Sequence, residues 1–232
     1  MTLRDHVPPS IKRRLRSLRT PAPSPAPSPA LSTAPSPGPP QKRPTALEQW
    51  KVRDFVMPAP QRVKWSVLRR YGRACDVWVE TGTYRGDTTA HLARTAAHVH
   101  SIEPGPELAE AARWRFRDDS RVSILQGLSE ERLPELLETL EGPVSFWLDG
   151  HFSAGVTFRG PADTPIRDEL AVIGRHLDRL GRVSVLVDDV RCFDPSNPSF
   201  ASYPSRGWLV EWAEGHGLTW TIEHDIFAAW SS

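Results

Sequence analysis

Asp76-Val-Trp-Val-Glu-Thr-Gly-Thr-Tyr-Arg-Gly86 sets a short apolar run against a turn holding two glycines, and Asp87-Thr-Thr89 follows as the opening of a helix. A β-branched and aromatic run of this length, ending on Glu80, reads as a strand buried on both faces. Gly82 and Gly86 allow backbone to pass close to a ligand. The helix that follows turns its unpaired N–H groups toward the same place.

Working outward, the same strand-turn-helix unit recurs. Upstream, residues 61 to 71 read as a helix with Val63, Val67 and Leu68 inward. Downstream, a helix from Asp87 to about Ala97 leads to the strand His98-Val-His-Ser-Ile-Glu103, and Pro104 opens a helix bearing Leu108, Ala111, Ala112 and Phe116. The strand Val122-Ser-Ile-Leu125 precedes a helix whose Leu133, Leu136, Leu137 and Leu140 share one face. Val144-Ser-Phe-Trp-Leu148 is a fourth strand, ending at Asp149. The next helix is marked by Thr164 at the N-cap, Pro165 in the first turn, Asp168 and Glu169 at the positive end of the dipole, and the stripe Ile166, Leu170, Ile173, Leu177. Val183-Ser-Val-Leu-Val187 ends at Asp188-Asp189, a helix covers residues 207 to 214, and Leu218-Thr-Trp-Thr-Ile222 and Ile226-Phe-Ala-Ala-Trp230 are two last strands. Such alternation predicts a mainly parallel α/β sheet with helices on both faces. In sheets of this kind ligands sit beyond the carboxyl ends of the strands, where the strand order reverses.

Composition separates this body from what precedes it. The 232 residues carry a net charge of +1, but residues 1 to 44 hold twelve of the 23 prolines and a local charge of +7, which leaves −6 on the rest. Residues 21 to 40 alternate Pro with Ala and Ser and bury too little apolar surface to offset the cost of ordering. Residues 1 to 44 are therefore expected to be a disordered basic tail, and residues 45 to 232 one domain. Ile11, Leu15 and Leu18 among arginines leave open a basic amphipathic helix that touches a membrane surface through the tail. No apolar run reaches the ~20 residues of a membrane span. Cys75 and Cys192 have no metal-site or redox spacing, so a reducing cytoplasm is the expected setting. An acidic body argues against a nucleic-acid substrate.

Glu103 stands at the end of the second strand, 21 residues after Gly82, where a carboxylate can accept from both hydroxyls of a ribose. Glu80-Thr-Gly-Thr-Tyr-Arg-Gly86 is not the G-x-G-x-x-G of dinucleotide sites, and Glu80 suits a ligand with positive charge. With Ser101-Ile-Glu-Pro104 and the later strand ends, about residues 70 to 232 resemble the class I S-adenosylmethionine-dependent methyltransferases. The resemblance implies a Rossmann-like, doubly wound, mostly parallel seven-stranded sheet closed by an antiparallel C-terminal hairpin. It implies that Glu80, Gly82, Thr83 and Gly86 line the methionine part of the cofactor, with Tyr84 and Thr88 in the same segment, Glu103 on the ribose and Asp149 near the transferred methyl. The family often carries an acid after the third strand; Gly127-Leu128-Ser129 lacks it here, leaving Ser129 as the candidate adenine contact.

Asp149, Asp188 and Asp189 end neighbouring strands, so their carboxylates converge and repel. A hard divalent cation such as Mg²⁺ relieves this, and the pattern resembles metal-dependent O-methyltransferases of small molecules and sugars. The alternative is that one aspartate caps a helix or meets an arginine such as Arg191. His151, two residues beyond Asp149, is the candidate base for a hydroxyl acceptor. The segment 151 to 164 is a long connection in which Phe152, Phe158, Arg159 and Asp163 are candidate substrate contacts, and residues 192 to 206 form a second candidate lid. Glu223-His224-Asp225 falls at a hairpin turn and is set aside as a catalytic cluster. The expectation is methyl transfer to a hydroxyl of a small polar molecule with help from a divalent metal. A metal-independent methyltransferase and a non-catalytic nucleotide-binding or interaction module are the alternatives.

Overall fold

Seven strands, β1 (Val77–Thr81), β2 (His98–Glu103), β3 (Val122–Gln126), β4 (Val144–Leu148), β5 (Val183–Val187), β6 (Thr219–Glu223) and β7 (Ile226–Trp230), form one sheet in the order β3-β2-β1-β4-β5-β7-β6. The computed structural model describes residues 44–72, 75–149 and 164–231. The basic tail and the segment with His151, Phe152, Phe158, Arg159 and Asp163 lie outside the described residues. β1 to β5 are parallel, and β7 runs antiparallel to both β5 and β6. The expected doubly wound sheet with a reversed C-terminal hairpin is therefore the fold. Strand order reverses between β1 and β4, which opens a crevice beyond Thr81 and Leu148.

The helices are α1 (Ala46–Val52), α2 (Gln61–Gly72), α3 (Asp87–Leu92), α4 (Pro106–Phe116), α5 (Ser129–Thr139), α6 (Ile166–Leu180) and α7 (Arg206–Gly215). Three differ from expectation. α3 stops at Leu92 rather than near Ala97, because the Ala97 N–H already donates to the Asp76 carbonyl at 2.8 Å and draws the chain into β2. At α6, Pro165 takes the cap position, and Thr164 Oγ1 accepts from the Ile166 N–H at 3.3 Å. α1 was not anticipated, although Thr45 and Glu48 make a reciprocal capping box with bonds of 3.2 and 2.6 Å. No helix among the described residues is long and apolar enough to cross a membrane.

Alternation along the strands sorts their side chains to two cores. Val79, Phe146 and Val185 pack with Leu133 and Leu137 of α5, Leu170 and Ile173 of α6 and Leu209 of α7. Trp78, Trp147, Leu186 and Ala228 pack on the other face with Val67 and Leu68 of α2 and Leu92 of α3. β1 thus sends Thr81 toward α5 and α6, and Glu80 toward α3.

α2 is anchored at its C-terminal end. Its last carbonyls have no partners within the helix, and two buried serines of the sheet supply them: Ser145 Oγ donates to Gly72 O at 2.9 Å and Ser184 Oγ to Tyr71 O at 2.7 Å. A side chain at Gly72 would collide with the Trp78 ring, 2.2 Å from the Cβ position. Seven residues back along α2 is about 10 Å, and the four residues from Ser184 to Asp188 cover about 13 Å. The helix runs opposite to β5, so Lys64 arrives at the carboxyl end of the sheet, with the length of its side chain making up the difference.

Candidate active site

The turn after β1 is held open by backbone that favours glycine. Gly82 and Gly86 have φ of 93° and 75°, and Tyr84 joins them at 49°. At Gly86 a Cβ would lie 2.7 Å from Phe116 Cε2, so the residue also permits close packing of α3 on α4. Glu103, at the end of β2, ties this turn to the next one. Its Oε2 accepts from the Tyr84 N–H at 2.7 Å and its Oε1 from the Gly105 N–H at 2.9 Å. Each oxygen keeps a further lone pair, so a carboxylate fixed in this way can still accept hydroxyl groups.

Glu80 is buried. Its Oε2 accepts from Ser101 Oγ at 2.6 Å and from Thr89 Oγ1 at 2.5 Å, and Thr83 Oγ1 lies 2.6 Å from Ser101 Oγ. Burial pushes its carboxyl up to about 8; the Ser101 and Thr89 hydroxyls oppose this, while the charges of Asp149 and Glu103 push it the same way as burial. Thr83 is thus engaged inward through its hydroxyl, whereas Tyr84 is exposed. Thr88, in the first turn of α3, accepts from Gln61 Nε2 at 2.8 Å.

Asp149, Asp188 and Asp189 lie beyond the paired ends of β4 and β5, where Leu148 and Val187 are in register. The Lys64 ammonium donates to Asp188 Oδ2 and, at 3.2 Å, to Asp189 Oδ1. Its side chain is 11% exposed, against 1% for Asp188 and 7% for Asp189, so this pairing takes place almost out of water. Arg191 Nη1 lies 2.5 Å from Asp189 Oδ1 and also pairs with Asp225, which accepts the Arg191 N–H at 2.7 Å. Burial on its own would lower the Lys64 ammonium's pKa, but Asp188 and Asp189 outweigh it and hold the group above the ordinary lysine value. Burial pushes Asp188 up, helped by Asp149 and Asp189 and opposed by Lys64.

This geometry does not support the expected metal centre among the described residues. Among the described residues no group of three or more His, Cys, Asp and Glu side chains is placed to hold a metal ion. The donor set does not fit as arranged, because Asp188 and Asp189 are already bonded to Lys64 and Asp189 also to Arg191. The pairing of an aspartate with Arg191, left open from the sequence, is what the chain does at Asp189. Candidate base His151 lies outside the described residues.

A small recess borders these acids, with Asp149, Asp188, Ile166, Glu169, Phe193 and Tyr203 among its walls. Glu169, read from the sequence only as an acid at a helix start, is buried, and its Oε1 and Thr81 Oγ1 have no hydrogen-bond partner among the described residues. Burial pushes its carboxyl up to about 7, against the nearby Ser129 and Thr81 hydroxyls. Ser129, the candidate adenine contact, is therefore buried at the start of α5 and faces Glu169. Sequence reasoning also missed Lys64 and Asp225. Asp225 sits in a two-residue hairpin turn with His224, both at positive φ, a feature that marks the turn without showing that its carboxylate reaches Arg191.

The strand order and reversed hairpin define the fold of class I methyltransferases. No protein-family model matches the chain, and no curated protein matches its sequence. A solved structure of a putative caffeoyl-CoA O-methyltransferase from Staphylococcus aureus matches with a TM-score of 0.50 at 14% identity, over 80% of this chain and 90% of that one. An O-methyltransferase family protein from Burkholderia thailandensis matches at 0.47 and 14% identity over 73% of this chain, which spans 55% of that protein's length. The N-methyltransferase NodS from Bradyrhizobium japonicum matches at 0.48 and 15% identity, over 73% of this chain and 94% of its own. At 14% identity the Staphylococcus aureus structure bears on the fold alone.

Proposed function

We propose that the chain transfers a methyl group from S-adenosylmethionine to a hydroxyl of a small polar molecule. The observation that carries this reading is the meeting, at the carboxyl ends of β1 and β2 beside the β1–β4 switch point, of a glycine turn with Glu103, its two oxygens held by the Tyr84 and Gly105 N–H groups. The bound cofactor would supply a sulfonium-activated methyl group. Glu103 would accept the ribose hydroxyls, and the turn from Gly82 to Gly86 would admit the cofactor's methionine end. Asp149 would set negative potential beside the positive charge, and the bound sulfonium would in turn favour the ionised form of Glu80, which burial alone pushes toward protonation. Ser129 is the adenine contact in this reading.

The acceptor must lose a proton as it is methylated, and His151 keeps its proposed role as the base. A hydroxyl acceptor agrees with the O-methyltransferase description of the Staphylococcus aureus structure, and the −6 charge of the body favours a small molecule over nucleic acid. No step in this proposal passes through a metal. Residues 1 to 44 are taken as a tail outside the methyltransferase domain, and the chain as cytoplasmic. Isothermal titration of the full chain with S-adenosylhomocysteine tests the reading. Saturable one-site binding that weakens at least tenfold in Glu103→Ala is expected. An absence of binding in the wild-type chain would overturn it.

A further inference from the structure

We propose that the ammonium of Lys64 is the resident cation of the acid cluster at the ends of β4 and β5, standing where a divalent metal would have to sit, so that the site works without one. The cluster has the charge pattern of a metal site, with three carboxylates after two adjacent strands. Two of its members already share one cation: Lys64 Nζ contacts Asp188 Oδ2 and Asp189 Oδ1 together. A magnesium ion needs its oxygens at about 2.0–2.1 Å. An ion that close to both oxygens would overlap the nitrogen lying between them, so metal and ammonium exclude each other.

Retreat of Lys64 is opposed from two sides. It would leave two nearly dry carboxylates without their shared partner, a costly state for buried charge. α2 itself cannot slide away, because Ser145 and Ser184 hold its far end to β4 and β5. Arg191, held in turn by Asp225, supplies a second positive charge to Asp189.

An ammonium has three N–H donors, and the two aspartates take two of them. Under the methyltransferase reading, on which this last step rests, the third donates to the acceptor oxygen and favours its deprotonated form, as a Lewis acid would. Lys64 differs from a metal in being placed by the chain itself and in resisting chelators.

Manganese binding to the full chain, followed by electron paramagnetic resonance of the free ion, tests the assignment without requiring turnover. Wild-type chain is expected to show no binding tighter than about 1 mM, the weak limit of carboxylate sites. Lys64→Ala removes the ammonium and frees both aspartates, and is expected to bind manganese at least tenfold more tightly; Lys64→Ala with Asp188→Asn is expected to lose that gain. Lys64→Met, which keeps the length of the side chain, repeats the test if the alanine variant folds poorly. Tight binding by the wild-type chain would overturn the proposal, as would failure of both Lys64 variants to gain any. Titration with S-adenosylhomocysteine in parallel keeps the two readings apart. Its failure would remove the methyltransferase reading and the role of the third N–H, and leave the cation assignment standing on the manganese result.

Discussion

Replacing Glu80 by Gln removes one titration from the core while keeping the shape of the side chain. In the folded chain the carboxyl is pushed up to about 8, from an ordinary 4.5, by burial at the end of β1. Between those two pH values the native state holds a proton that the unfolded chain has released. Stability therefore falls as pH rises through this window, by about 1.4 kcal/mol per pH unit, and levels off above it. The whole interval corresponds to about 5 kcal/mol, an upper limit because relaxation and entering water ease the charged form. Glu80→Gln cannot titrate and escapes the loss. It should match the wild-type chain near pH 5 and exceed it at pH 8 by at least about 2 kcal/mol, less than half of that limit. Urea denaturation followed by tryptophan fluorescence at a series of pH values gives both curves, and their difference cancels the contributions of Glu169 and Asp188. A difference that stays flat from about pH 5 to about pH 8 would mean that the network of Ser101 and Thr89 keeps Glu80 ionised throughout, and the reasoning from burial would be refuted.

Gly86→Ala places a Cβ 2.7 Å from the Phe116 ring at a φ of 75°, and should cost about 1–3 kcal/mol in chemical denaturation; an unchanged midpoint would show that α4 gives way freely. Ser184→Ala strips the Tyr71 carbonyl of its partner in a dry place, with an expected loss of about 1–3 kcal/mol by the same assay. Leu170→Ala empties part of the core between α6 and the sheet and should cost about 2–5 kcal/mol. Glu169→Gln should flatten the pH dependence of stability between 4.5 and about 7, since its raised carboxyl also binds a proton that the unfolded chain gives up.

The fold was legible because the signals that determine it are local. β4 and β5 are buried at every position and read as short, mostly apolar runs, while the aspartate that follows each marks where it leaves the sheet. Boundaries moved where a long-range bond intervened. α3 is shorter than its periodicity suggests because Asp76 O captures Ala97 N–H, a partnership across 21 residues that no window of sequence displays. At the β1 turn, the need for glycine at positions 82 and 86 could be read directly, since positive φ is a property of the residue itself. That Glu103 would fasten the Tyr84 amide could not.

The acid crevice shows what an inventory of charges omits. Asp149, Asp188 and Asp189 converge as their places at the strand ends imply, and their repulsion needs a counterion. The inference of a metal followed from weighing these acids against a single neighbouring cation, Arg191. Among the described residues, the cations paired with Asp188 and Asp189 are Lys64, 124 residues before Asp188, and Arg191, which is steered by Asp225 across a hairpin. Lys64 stands two helical turns before the Tyr71 carbonyl that Ser184 binds, so its arrival at Asp188 is settled by how α2 is hung on the sheet. A lysine in the first turn of an amphipathic helix looks like surface charge until that hanging is known. The −6 of the body therefore does not accumulate in the crevice. The chain brings its own positive groups to the place where strand topology concentrates the negative ones, and Glu80 and Glu169, which meet no such partner among the described residues, are driven by burial toward their protonated forms instead.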